Sequence, residues 1–242
     1  MSPGRRRFDT SQLRITRGAL LIAGVQVGLS LTWMLLDGGM RDTLASWVAA
    51  TPIGVFHHGR VWTLATSPFL ETEILSMLLS LFMLWAFVPT LERFWGTARF
   101  YRFFAVTSLA GTVAGTAAGL ALGIDDPISG LSPFVYGAVV AFGIVYARQP
   151  VQFFGVLPLT GRQLMFGFIG FVSLFVVLQG AWTKGAAFAA AMLAAAFMTS
   201  KRWSPGLAWR RWRISRARAR LSVIDGGAPR PRTPRDDQRF IN

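Results

Sequence analysis

The chain contains no cysteine among its 242 residues. That absence excludes a disulfide framework, a thiolate metal site and a cysteine nucleophile. Charge is also scarce, at 15% of residues, where a soluble domain carries about a quarter. Only two histidines occur, His57 and His58. No His/Cys/Asp/Glu spacing suggests a metal site, and no motif suggests a cofactor. What the chain does have is apolar residues, 52% of the total, with a mean hydropathy of +0.44. Apolar runs of bilayer-spanning length, about 17–25 residues, recur along it. The expected class is an all-α polytopic membrane protein.

Six spans are predicted, at roughly 18–36, 72–91, 99–122, 132–147, 163–181 and 183–200. The run from Gly18 to Leu36 follows a basic start, as a signal peptide would. It is too long for an h-region and lacks a small-residue cleavage site, so it reads as a retained first span. Before it, residues 1–17 form a basic cytoplasmic N-tail. Residues 18–200 form the membrane domain. Residues 201–242 form a basic, Pro/Gly/Arg-rich C-tail that is expected to be largely disordered. The apolar stretch between the first two spans, "SWVAATPIGVFHHGRVWTLATSPFL", predicts short amphipathic helices in the interface.

The net charge of +14 is mostly a topology signal. With six spans, 22 of the 25 Lys+Arg fall on one side, in the N-tail, the second-to-third and fourth-to-fifth connections, and the C-tail. Arg41, Arg60 and Lys184 fall on the other, together with Asp37, Asp42, Glu71, Glu73, Asp125 and Asp126. The positive-inside rule then places both termini in the cytoplasm. The Trp- and Arg-containing start of the C-tail suits anionic lipid rather than nucleic acid.

Gly111, Gly115, Gly119 and Gly123 share one face of the third span, and Gly185, Ala186, Ala189 and Ala190 repeat the theme in the sixth. Small residues let helix backbones approach closely in lipid. Packing within the chain is expected rather than dimerisation.

Chemistry concentrates at "DDPISGLSPFVYGAVVAFG", residues 125–143. Ser132 opens the fourth span at the outer edge, level with Lys184 at the start of the sixth. From spacing alone Ser132 reads as a helix N-cap followed by Pro133 at the first position.

Several short motifs together resemble the rhomboid superfamily of intramembrane serine proteases, over about residues 50–200. They are Trp62, Thr66 and Phe69 before the second span, "LERFWGTARF" after it with Glu92, Arg93, Trp95 and Gly96, and "GLSPFVYGAVVAFG" at the fourth. The resemblance implies a six-transmembrane-helix rhomboid-like bundle. It implies Ser132 at the nucleophile position, and Tyr136 where an aromatic ring packs on the catalytic histidine. Ser76, Ser80, Trp182 and Thr183 would line the cavity.

The chemical positions depart from the family. The histidine of the sixth span aligns at Trp182 or Thr183. The histidine and asparagine of the second span read Ser76 and Ser80. The loop histidine reads Glu71, and Thr63 replaces an arginine. Pro133 replaces the glycine after the serine and removes a backbone N–H. A serine without a base is a weak nucleophile. The resemblance therefore implies a pseudoprotease of a plasma (inner) membrane that binds transmembrane helices of client proteins. The alternative is an active intramembrane serine endopeptidase using Ser132 with an unconventional base such as Lys184. A solute transporter fits poorly, because the spans carry almost no ionisable residues.

Overall fold

The computed structural model describes residues 15–148, 150–153, 157–200 and Arg216. The expectations for the N-tail and C-tail thus fall almost wholly outside the described residues. By backbone proximity the chain divides into two units, Met1–Arg202 and Trp203–Asn242, and the first holds everything below.

Helices occupy all six apolar segments: α1 (Arg17–Leu35), α5 (Ile74–Trp95), α6 (Thr97–Leu122), α7 (Ser132–Val145), α8 (Gly161–Gln179) and α9 (Trp182–Thr199). Four of them, α1, α5, α6 and α8, are long and apolar enough to cross a membrane; α7 is a shorter apolar helix. The connection after α1 folds into α2 (Gly38–Val48), α3 (Pro52–Phe56), α4 (Thr63–Thr66) and a 3-10 turn at Ser67–Phe69. Between α7 and α8 lies an antiparallel hairpin, β1 (Pro150–Phe153) with β2 (Leu157–Thr160), in register Pro150↔Thr160 to Phe153↔Leu157. The sequence reading foresaw no strand there.

Turn chemistry sets the helix ends. Gly96, at φ 81° and ψ 154°, joins α5 to α6 in a backbone region that only glycine occupies readily. Gly123 and Gly180 end α6 and α8 in left-handed conformations. Thr160 and Gln163 form a capping box at the start of α8, with Gln163 N–H donating to Thr160 Oγ1 at 3.3 Å and Thr160 N–H to Gln163 Oε1 at 3.0 Å.

The first turn of α1 is satisfied from another helix. Glu92 of α5 accepts from the Gly18 and Ala19 amides, both at 3.1 Å, from Thr16 Oγ1 at 2.5 Å and from Thr97 Oγ1 at 3.1 Å. Four donors surround a carboxylate that is only 4% exposed, so the charge is buried without being orphaned.

The glycine stripe of α6 is used inside the chain. A Cβ on Gly111 would meet the Pro133 ring at 2.7 Å and the Ala187 carbonyl at 3.2 Å. One on Gly115 would meet Ala187 and Ile128, both at 3.0 Å, and one on Gly119 would meet Pro52 at 2.6 Å. The small-residue face that α9 buries is Ala187, Ala191 and Ala195, at four-residue spacing. The expected grouping of Ala186, Ala189 and Ala190 is therefore one position out of phase. Gly185 instead approaches Val176 of α8.

α7 sits at the centre, packed against α5, α6, α8 and α9, with ten of its 14 residues buried. It spans about 21 Å, against about 33 Å for α5. A short helix among longer neighbours leaves a hollow above its N-terminus, and the candidate site lies there.

Candidate functional site

The hollow is a cavity of about 770 Å³, within the range of ligand-binding pockets. Its walls come from α5 (Ser76, Leu79, Ser80, Met83), α7 (Ser132, Val135, Tyr136), α8 (Phe168, Phe171, Phe175) and α9 (Ala187, Phe188). Its mouth carries Glu71, Glu73, Asp126, Gln179 and Lys184. Polar groups thus cluster at helix ends and loops, and apolar side chains line the depth. α5 and α8 both pack on α7 but make little backbone contact with each other.

Hydrogen bonds fix the loops around the mouth. Residues 124–131 are pinned to the segment before α5, with Ile128 N–H donating to the Ala50 carbonyl at 2.8 Å and Gly130 N–H to the Ser67 carbonyl at 3.0 Å. Asp125 accepts from the Ile53 amide at 2.9 Å. Further out, Trp47 and Trp62 stack at 5.6 Å, with the Arg60 guanidinium over Trp47 and Trp62 Nε1 donating to the Trp47 carbonyl.

Ser132 is the first residue of α7, and Leu131 is the residue flanking the helix start. No side chain caps this helix. The expected N-cap role is thus not realised, because Gly130, at φ 88°, turns the chain so that Leu131 rather than Ser132 supplies the carbonyl accepting from Val135. Ser132 and Tyr136, one turn apart on α7, both line the cavity. Tyr136 is clamped edge-on between Phe168 at 5.1 Å and Phe188 at 4.7 Å.

Of the other sequence candidates, Ser76 and Ser80 line the α5 wall. Ser80 accepts from Gln26 Nε2 of α1 at 2.9 Å, and Ser76 donates to Glu73 at 3.0 Å. Lys184 is exposed at the mouth. Trp182 and Thr183 stand outside the lining, the first 55% exposed and the second buried. His57 and His58 are exposed at the end of α3 and are also outside it. Among the described residues no His, Cys, Asp or Glu cluster could hold a metal ion.

The residue that sequence reasoning passed over as a site residue is Glu71. It is 7% exposed, and among the described residues its Oε2 has no hydrogen-bond partner. Burial, reinforced by Glu73 and opposed by Lys184, raises its pKa to about 7. Gly130 leaves no room for a side chain, because a Cβ there would run into the Glu71 carboxyl. The signal available in the sequence was an acidic residue directly preceding an apolar span.

The exterior completes the picture. On α8, Phe166, Phe171, Leu174, Phe175, Val177 and Leu178 are exposed, and α1 exposes Leu20, Leu21, Val25 and Leu31. Inside lie Gln26, Ser30, Thr107, Thr112 and Thr116. Such an inverted distribution needs a hydrocarbon solvent. This is an all-α integral membrane protein. More particularly, the family model described as eukaryotic integral membrane protein (DUF1751) matches residues 16–203, and the chain belongs to that family. No curated protein matches it.

Proposed function

We propose that this protein is a rhomboid-like, proteolytically inactive membrane protein that holds transmembrane segments of client proteins in the cavity above α7. Six spans with both termini in the cytoplasm put the mouth on the outer face of a plasma (inner) membrane, and the basic C-tail lies on anionic lipid. The observation that carries the reading is the state of Ser132. Its neighbour in the cavity is a phenol clamped by two phenylalanines, and neither histidine lines the space. A phenol is a poor base at neutral pH, so the hydroxyl is not activated. Lys184 is exposed at the mouth, whereas a serine-lysine pair needs a buried amine.

The sparse backbone contact between α5 and α8 supports lateral entry from the bilayer. The exposed phenylalanines of α8 suit a lipid-facing gate. A helix about 10 Å across would fill the cavity with roughly two turns. The volume therefore admits part of a client segment.

A photo-crosslinking amino acid placed at Leu79 or Phe171 tests this in native membranes. Adducts to membrane proteins at both positions, absent from a control at the lipid-exposed Leu193 of α9, are expected. Adducts no richer than at Leu193 would remove the reading.

A further inference from the structure

The cavity mouth holds a buried acid with an empty valence. Among the described residues Glu71 Oε2 has no donor, although the Glu71 backbone amide is tied to Ser30 Oγ at 2.9 Å and its carboxyl is packed against Gly130. An unpaired buried carboxylate is expensive, and such groups in native structures have a partner or a purpose. Glu73 from the start of α5 and Asp126 from the loop before α7 stand at the same mouth and are exposed. Among the described residues Lys184 from α9 is the one cation lining the cavity, and its charge does not offset three carboxyl groups. From α7 the facing group is Tyr136, and from α8 it is the uncharged Gln179. The mouth is therefore acidic on balance.

We propose that the cavity selects client transmembrane segments bearing a lysine or arginine at the end that meets the mouth, whose cationic group pairs with Glu71. This rests on the client-binding reading above and adds a rule for which clients are held. A peptide suits the site better than a lipid amine, because Ser129 and Ser132 set hydroxyls along the walls. Those groups can serve a peptide backbone and give an acyl chain nothing. A cation pairs only with the ionised carboxyl. Selection therefore strengthens as pH rises through the range where Glu71 loses its proton, and fades below it.

Two synthetic transmembrane peptides test this. They share one apolar core and a photo-crosslinker, and one carries Lys and the other Gln at the mouth end. Binding is measured to the full chain in phosphatidylcholine nanodiscs at pH 8 and pH 5.5. The lysine peptide is expected to bind at least about tenfold more tightly at pH 8, the scale of a charge-assisted hydrogen bond. That advantage should shrink at pH 5.5. It should vanish in Glu71→Gln, with the glutamine peptide still bound, and persist in Glu73→Gln. Equal binding of two well-crosslinked peptides, or an advantage independent of pH in the unaltered protein, overturns the inference and leaves client binding standing. An advantage surviving Glu71→Gln overturns the assignment to that residue. Equal displacement of both peptides by added phosphatidylethanolamine, with no lysine advantage, gives the carboxylate to a lipid headgroup and also overturns it. If neither peptide crosslinks, client binding itself falls.

Discussion

The carboxylate of Glu92 caps a helix to which it does not belong. It accepts from Gly18 and Ala19 in the first turn of α1, both at 3.1 Å, across a sequence separation of more than 70 residues. The negative charge also faces the positive end of the α1 dipole. Replacing Glu92 with alanine would leave two amides and two threonine hydroxyls without their acceptor, at a cost of about 3–5 kcal/mol. Gly18→Ala attacks the same joint from the other side, since its Cβ would meet both carboxylate oxygens at 2.7 Å. That overpacking should cost about 1–3 kcal/mol. Thermal unfolding in detergent should rank the wild type above Gly18→Ala and Gly18→Ala above Glu92→Ala.

The α6 stripe makes a second, separable prediction. Gly111 and Gly115 meet Pro133, Ala187 and Ile128 of the same chain. Gly115→Val should therefore lower stability by about 2 kcal/mol or more through forced separation of α6 and α9. The oligomeric state should stay the same. Size-exclusion chromatography with light scattering would expose the opposite result, a dimer lost without loss of stability.

The bundle was legible where one residue type acts alone. Apolar runs located all six helices, because the hydrophobic signal is summed over many positions. The Gly111–Gly119 spacing also revealed its packing face directly. Features that join distant residues were less visible. Glu92 could be quoted as part of a motif, but its partners lie in α1. The hairpin Pro150–Thr160 sits in a connection with no strong alternation, and its backbone pairing overrides weak local preference. Ser132 looked like a cap because capping residues are recognised by type. The positive φ of Gly130, which moves the helix start by one residue, is not written in the serine. Glu71 was visible as an acidic residue before an apolar span, but its burial was not. Its burial depends on Gly130, 59 positions later.

Glu71 makes stability depend on pH in a direction opposite to the usual carboxylate. Its folded pKa, about 7, lies above the ordinary carboxylate value of 4.5, so the folded state holds the proton more tightly than the unfolded state. The stabilising effect is complete below about pH 4.5 and is lost as pH rises towards 7. A shift of this size corresponds to roughly 3 kcal/mol at most. Glu71→Gln removes the titration. Compared with that variant, the wild type should lose stability between pH 4.5 and 7 and stay level above it, as followed by denaturant or thermal unfolding across the range. Parallel pH curves for the two proteins would show that Glu71 is not the titrating group.

Ser132 provides the sharpest chemical prediction. Its hydroxyl neighbours Tyr136, and the phenol is fixed by Phe168 and Phe188. An unactivated serine reacts slowly with electrophiles, and loss of a triad base in serine hydrolases costs many powers of ten. Fluorophosphonate probes should therefore leave the protein unlabelled from pH 5 to pH 9. Tyr136→Phe should not change that result, because the phenol contributes no base. Lys184→Ala should not change it either, while altering the charge at the mouth. Labelling that Ser132→Ala abolishes and Lys184→Ala weakens would instead establish a serine-lysine hydrolase. In that case the cavity would be an active site.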